Sequence, residues 1–302
     1  GHIGEFYQTL PDVRRYIYAL PAVNSVQREA TFSVTDASAD KARGTVPFST
    51  EDKMNNGVGK EEFFQATINP AHAYAYLLTS VLSPDYVDLL GDGPTEDDIG
   101  SYTRFNYHRA AHNYRWISPY SRTGNLANYH PGNRSDPNDD KASYIVGAKD
   151  MWYVSTMESK NQVAEFYISQ RADARGTKAP VIKNTDDFSA ALGDPALKQA
   201  AAEEGYSYKL DSIVIYTKQE RYMNGTGAVP LKTIIFNYDY SLCPGVPNNF
   251  SNQGKLTLKK VYTRNGTSNI SLLNPYEFEY DLQNGNAGYD LAGKDRWGNY
   301  KP

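Results

Sequence analysis

The chain has 302 residues and a formal net charge of −4, and its Lys and Arg residues are scattered along its length, which argues against nucleic acid as a partner. Aromatic residues make up 13% of it, 25 of them tyrosines, unlike a disordered chain and suited to sheet surfaces where a ring packs while its hydroxyl stays wet. A lone cysteine, Cys243, excludes an internal disulfide framework, and no apolar run approaches the roughly 20 residues a spanning helix needs.

Residues 1–84 are expected to be β-rich with a long polar loop. Val13-Arg-Arg-Tyr-Ile-Tyr-Ala-Leu20 and Arg28-Glu-Ala-Thr-Phe-Ser-Val34 predict two strands separated by Pro21 and Asn24. The polar interval from Thr35 to about Lys60 predicts a loop, and residues 71–82, placed before Pro84, lean to a strand. Residues 85–150 are rich in Tyr, Asn, His and Asp and poor in long apolar runs, so a loop-rich insert is expected there, and any function with it.

Residues 151–302 predict an antiparallel sheet region. Strands are expected at 151–157 and 163–169, and alternation returns in Lys209-Leu-Asp-Ser-Ile-Val-Ile-Tyr216 and in 231–240, 255–262 and 275–280. A helical insert is predicted over 186–204, with Asp186, Asp187 or Ser189 as its cap, Pro195 splitting it and Gly205 ending it. The fold class is therefore mainly β: an antiparallel, hairpin-rich sheet with long loops and one short helical insert. The start at Gly1 without an initiator Met, and the end at Pro302, are expected of a piece of something longer.

Several constellations bear on chemistry. Asp88-Leu-Leu-Gly-Asp-Gly-Pro-Thr-Glu-Asp-Asp98 places carboxylates at positions one, five, nine and eleven of a calcium-type loop and Gly93 at six, while Leu90 and Ile99 are wrong for an EF-hand. Either a non-EF Ca²⁺ site using Asp85, Asp88, Asp92, Asp97 or Asp98, or an acidic surface turn, fits this pattern. Ser135-Asp-Pro-Asn-Asp-Asp-Lys141 is a second acidic loop, equally readable as a solvated turn. His108-Arg-Ala-Ala-His112 has the spacing of a zinc-protease pair without its glutamate.

Glu158 and Glu165 flank Asn161 as a possible glycosidase pair or a solvated strand face. Trp116, Tyr120 and Tyr129, with Trp152 and Trp297, offer either a sugar-binding platform or packing. No motif assigns a nucleophile with a base, so an enzyme is disfavoured. A glycan- or protein-binding module and a glycoside hydrolase stay as the alternatives to a structural role.

Tyr76-Leu-Leu-Thr-Ser-Val-Leu-Ser-Pro-Asp-Tyr-Val-Asp88, Trp152-Tyr-Val-Ser-Thr-Met-Glu-Ser-Lys160, Val163-Ala-Glu-Phe166 and Tyr208-Lys-Leu-Asp-Ser-Ile-Val-Ile-Tyr216 carry a family resemblance. So do Ile234-Ile-Phe-Asn-Tyr-Asp-Tyr-Ser-Leu242, Gly254-Lys-Leu-Thr-Leu-Lys-Lys-Val-Tyr262 and residues 289–302. The chain resembles the large secreted Rhs/YD-repeat-type proteins, especially the shell region of toxin-complex B and Salmonella virulence plasmid B components, and in style the very large exported proteins of Bacteroidota. The blocks cover under half the chain. The Tyr-Asp-x-x-Gly cadence is faint, confined to Tyr289-Asp290 and Asp295-Arg-Trp-Gly298, and the 85–140 stretch has no counterpart.

The resemblance implies a secreted or cell-surface bacterial protein whose hairpins wall a shell around an effector. Its partners would be flanking segments of the same protein or other subunits of a secreted complex. No catalytic residue carries over.

Overall fold

A computed structural model describes residues 3–35, 44–129, 136, 139–181, 198–199, 201–251, 253–268, 275–281 and 286–293. Its strands are β1 (Phe6–Thr9), β2 (Arg15–Ser33), β3 (Thr45–Pro47), β4 (Phe64–Asn69), β5 (His72–Leu82), β6 (Tyr102–Ser118) and β7 (Leu126–Tyr129). They continue with β8 (Lys141–Glu158), β9 (Gln162–Gln170), β10 (Tyr208–Thr217), β11 (Lys232–Leu242), β12 (Lys255–Asn265) and β13 (Tyr276–Glu277). A helix, α1 (Lys218–Asn224), and a 3₁₀ turn at Gly225–Gly227 join β10 to β11. Every strand pairing is antiparallel, and the chain is mainly β as expected.

Long strands hold the first half together. The two strands expected at 13–20 and 28–34 are one 19-residue strand, β2, which runs straight through Pro21. Proline lacks an N–H and is tolerated where no ladder bond is required. Pro21 falls between the span of β2 that pairs with β1, Arg15–Tyr18, and the span that pairs with β8, Asn24–Ser33, so one edge there has no partner. Residues 71–82 form β5.

Period-two alternation then builds the core. Val26, Ala30 and Phe32 of β2, and Ala142, Tyr144, Val146 and Ala148 of β8, point inward against Val46, Phe48, Ala127 and Tyr129. Arg28 sits among them, fully buried, with its guanidinium against Asp52 at 3.6 Å and the Tyr144 hydroxyl donating to Asp52 at 2.6 Å. β8 also pairs with β6, β6 with β5, and β5 with β2, so four strands close a circuit of pairings.

The expected loop region 85–150 contains β6, a 17-residue strand, and the expected boundary at residue 150 falls inside β8. β6 escaped alternation because two of the register shifts in its pairing with β8, at Arg109/Ala111 and Ala111/Tyr114, insert an extra residue on β6, while the third, at Asn106/Tyr107, falls on β8. Each bulge flips the side-chain parity that a sequence pattern depends on.

From the far end of β8 the sheet continues as a meander, β9–β10–β11–β12–β13. Here the alternating segments at 163–169, 209–216, 231–240 and 255–262 coincide with β9 to β12, whereas of the strand expected at 275–280 only Tyr276–Glu277 forms. All ten residues of β10 are half-buried, so its two faces are equally and only partly covered. Of the helical insert expected at 186–204, residues 186–197 and 200 lie outside the described residues, and 201–204, where its last turn before Gly205 was expected, form no helix. The helix that is described, α1, sits elsewhere.

Candidate functional site

The acidic stretch after β5 folds into a tight loop because its carboxylates accept the loop's own hydrogen bonds. Asp88 accepts from the N–H groups of Gly91 at 2.7 Å and Gly93 at 3.0 Å, both residues at positive φ. Asp98 is buried and accepts from the Thr95 N–H at 2.8 Å, the Tyr86 hydroxyl at 2.7 Å and the Leu89 N–H at 3.0 Å. The Thr95 amide first, then the Tyr86 hydroxyl, hold this carboxyl down to about 2, while burial and Asp98 push the Tyr86 hydroxyl up.

Asp97 accepts from the Thr95 hydroxyl at 2.7 Å, Asp85 from the Ser83 hydroxyl at 2.5 Å, and Asp92 is exposed. Among the described residues no group of three or more His, Cys, Asp and Glu side chains is arranged to hold a metal.

The loop nevertheless forms one wall of a cleft. Thr95 and Glu96 face α1 across a floor made by Tyr102 and Arg104 at the start of β6, Glu158 at the end of β8 and Val163 at the start of β9. α1 contributes Lys218, Arg221 and Tyr222. This cavity holds about 450 Å³, and a second of about 560 Å³ shares Glu96, Lys218 and Tyr222 with it and adds Lys160, Asn161, Thr217 and Gln219.

α1 is well specified locally although it buries none of its residues. Lys, Gln, Glu, Arg and Met are good helix formers, and the Thr217 side chain caps the helix by accepting from the Glu220 N–H at 3.1 Å. Gly225, at positive φ, ends it. Charge ties it down: Arg221 donates to Glu165 at 2.6 Å, and the Lys218 N–H donates to the Asn161 carbonyl at 2.9 Å.

The floor is a network of fixed charges. Glu158 accepts from Arg104 at 3.0 Å and from the Asn106 side-chain amide at 2.7 Å, with the Lys218 ammonium at 3.5 Å. Lys218 also meets Glu96 at 3.0 Å and the Tyr102 hydroxyl at 3.4 Å. Lys160 donates to the Asp98 carbonyl. Burial alone pushes Glu158 up, but Arg104 and Lys218 outweigh it and hold the carboxyl below its usual range. Burial likewise pulls Lys218 down, and its bonds to Glu96 and Tyr102 outweigh that and raise it.

Both groups thus stay charged at neutral pH, which suits recognition. A general acid or a lysine base requires the opposite shifts.

The other sequence candidates lie apart from the cleft and from one another. Trp116 covers Gly147 on the facing strand, with the Lys149 ammonium 5.9 Å from its ring. Tyr120 packs against the core, donates to the Gly176 carbonyl at 3.3 Å and lines a separate cavity of about 370 Å³ with Tyr289. Tyr129 is a core residue whose hydroxyl donates to Asp140 at 3.0 Å. These three form no common platform, and Trp297 lies outside the described residues.

His108 and His112 lie on β6 with a bulge between them, and His112 meets Asp150 at 2.6 Å. In the second acidic loop Asp139 is fully buried, accepts from the amides of Lys60 and Glu61 and pairs with Lys141 at 3.1 Å.

Glu158 and Glu165 were legible as candidates, since the register Thr156↔Glu165 and Glu158↔Val163 places them on one face. Arg104, Lys218, Arg221 and Tyr222 were not. One signal was available: Thr217-Lys-Gln-Glu220 is a capping-box pattern. The chain matches no family model, no curated protein and no solved structure.

Proposed function

We propose that the chain is a non-enzymatic structural and interaction segment of a larger exported bacterial protein, with the β9–β13 meander as the surface on which further β-structure is seated, as in an Rhs-like shell. The observation that carries this reading is that the meander is only partly covered. β10 is half-buried along its whole length, and Tyr167 of β9, Tyr276 of β13 and, just beyond it, Phe278 and Tyr280 stay exposed. An antiparallel sheet normally covers one face with a core, and a sheet whose two faces are both only partly covered gains stability from whatever packs on it. Among the described residues the outer edge of β12 is met only over Lys259–Val261, which leaves ladder groups for another strand.

Amide hydrogen exchange tests the reading, because a sheet without a core beneath it opens locally well before a packed one. The expected order is fast exchange in β10–β12 and slow exchange in β2 and β8. Equal protection in both halves would refute it. A screen of chromogenic glycosides, esters and peptides tests the non-enzymatic part: turnover lost in Glu158→Gln, in a variant that melts like the parent, would make the protein a hydrolase. The charged cleft favours a second reading as a glycan- or protein-binding module.

A further inference from the structure

We propose that the cleft between the 95–98 loop and α1 binds a carboxylated sugar within an acidic glycan chain. This does not depend on the meander being covered. Four cations, Arg104, Lys160, Lys218 and Arg221, line the joined cavities against two carboxylates, Glu96 and Glu158, on a chain whose net charge is negative. Glu165 already pairs with Arg221 at 2.6 Å, so the local surplus is a single positive charge, and it favours an anion.

The two carboxylates then narrow its chemistry. A phosphate or sulfate would meet Glu158 with like charge on every face, whereas a sugar acid presents one carboxylate and several hydroxyls, and hydroxyls need acceptors. Glu158 is such an acceptor, held ionised by Arg104 and Lys218 and fixed in place by its bonds from Arg104 and Asn106.

Lys218 is the anion-reading group. Its side chain is 19% exposed while that of its partner Glu96 is 65% exposed, so Glu96 closes the ion pair from the solvent side. Exposed carboxylates contribute little to such pairs, and a ligand carboxylate can take the place of Glu96 without leaving the ammonium uncompensated. Tyr222 supplies the remaining element. It is 90% exposed on a helix that buries nothing, at the rim shared by both cavities, where its ring is free to cover the C–H face of a sugar. An acidic peptide would use the cations and offer backbone N–H groups to Glu158, but it brings no sugar C–H face to the ring.

Calorimetric titration of the full chain with a galacturonate tetrasaccharide tests this, alongside free galacturonate, a neutral tetrasaccharide and a glutamate tetrapeptide. The expected result is saturable binding of the acidic oligosaccharide, weakened by salt, with the free acid weaker and the neutral sugar about tenfold weaker or worse. Lys218→Met and Tyr222→Ala should each lower affinity about tenfold, the latter with an unchanged melting curve because the ring touches so little of the fold. Equal binding of the neutral sugar, preference for the peptide or the free acid, no binding of the tetrasaccharide up to about 10 mM, or unchanged affinity in Tyr222→Ala would each overturn the proposal.

Discussion

Asp52→Asn removes the charge that faces the fully buried Arg28. The two side chains are 0% and 4% exposed and their charged atoms lie 3.6 Å apart, with the Tyr144 hydroxyl bonded to the same carboxylate oxygen. At an effective dielectric constant of about 20 the attraction at that distance is about 4–5 kcal/mol. Removing one partner of a buried pair typically costs about 3–5 kcal/mol. That is a large part of the roughly 5–15 kcal/mol that holds a domain folded.

The assay is urea unfolding followed by circular dichroism, on the parent, Asp52→Asn, Arg28→Met and the Arg28→Met/Asp52→Leu pair. Asp52→Asn should lower the midpoint by the equivalent of about 3 kcal/mol or more at unchanged slope. The paired apolar replacement should recover most of that loss, because neither member of the pair is then left buried without the other. A loss below about 1 kcal/mol in Asp52→Asn, or a double variant as unstable as the two single ones added together, would refute the reasoning.

Three other outcomes are expected. Asp98 is depressed from 3.8 to about 2, so the stability it contributes is fully present above pH 4 and disappears as pH falls through its folded value; melting curves of the parent and Asp98→Asn should therefore converge between about pH 4 and pH 2. Melting temperatures in millimolar Ca²⁺ and in chelator should coincide, since Asp88, Asp97 and Asp98 already accept hydrogen bonds within their loop, and a clear rise in Ca²⁺ would mean that the loop rearranges around the ion. Gly147→Ala would set a methyl carbon 2.9 Å from the Trp116 ring, so it should destabilise by about 1–3 kcal/mol and shift the tryptophan emission to the red.

How far the sequence foretold this structure varied by region, for identifiable reasons. Val163–Ile168 and Lys209–Tyr216 pair as alternating strands with one bulge, at Leu210/Ser212, and such strands were found where the pattern said. β6 was hidden because its two bulges interrupt the alternation and because Tyr, His, Arg and Asn occupy a strand that buries few residues. Pro21 was taken as a break, and became one position in a gap between two partners.

The site was half legible. The 88–98 loop and Glu158 both belong to the cleft region, but the loop's aspartates stabilise the loop itself while Glu96 faces the cavity. Arg104 and Lys218 converge on Glu158 from distant parts of the chain, and nothing local to either residue announces it.

The closed circuit of β2, β5, β6 and β8 also sets the order in which this chain can mature. Arg28 and Tyr144 meet in the core but are 116 positions apart. At a synthesis rate of about 5–20 residues per second, β2 waits on the order of 10 s for the strand that completes it. During that interval Val26, Ala30 and Phe32 have no β8 to pack against, whereas β9 to β12 can zip as successive neighbours once they emerge. The risk of aggregation during biosynthesis therefore lies in β2, an early-made strand whose inward face is deeply buried when folding is complete.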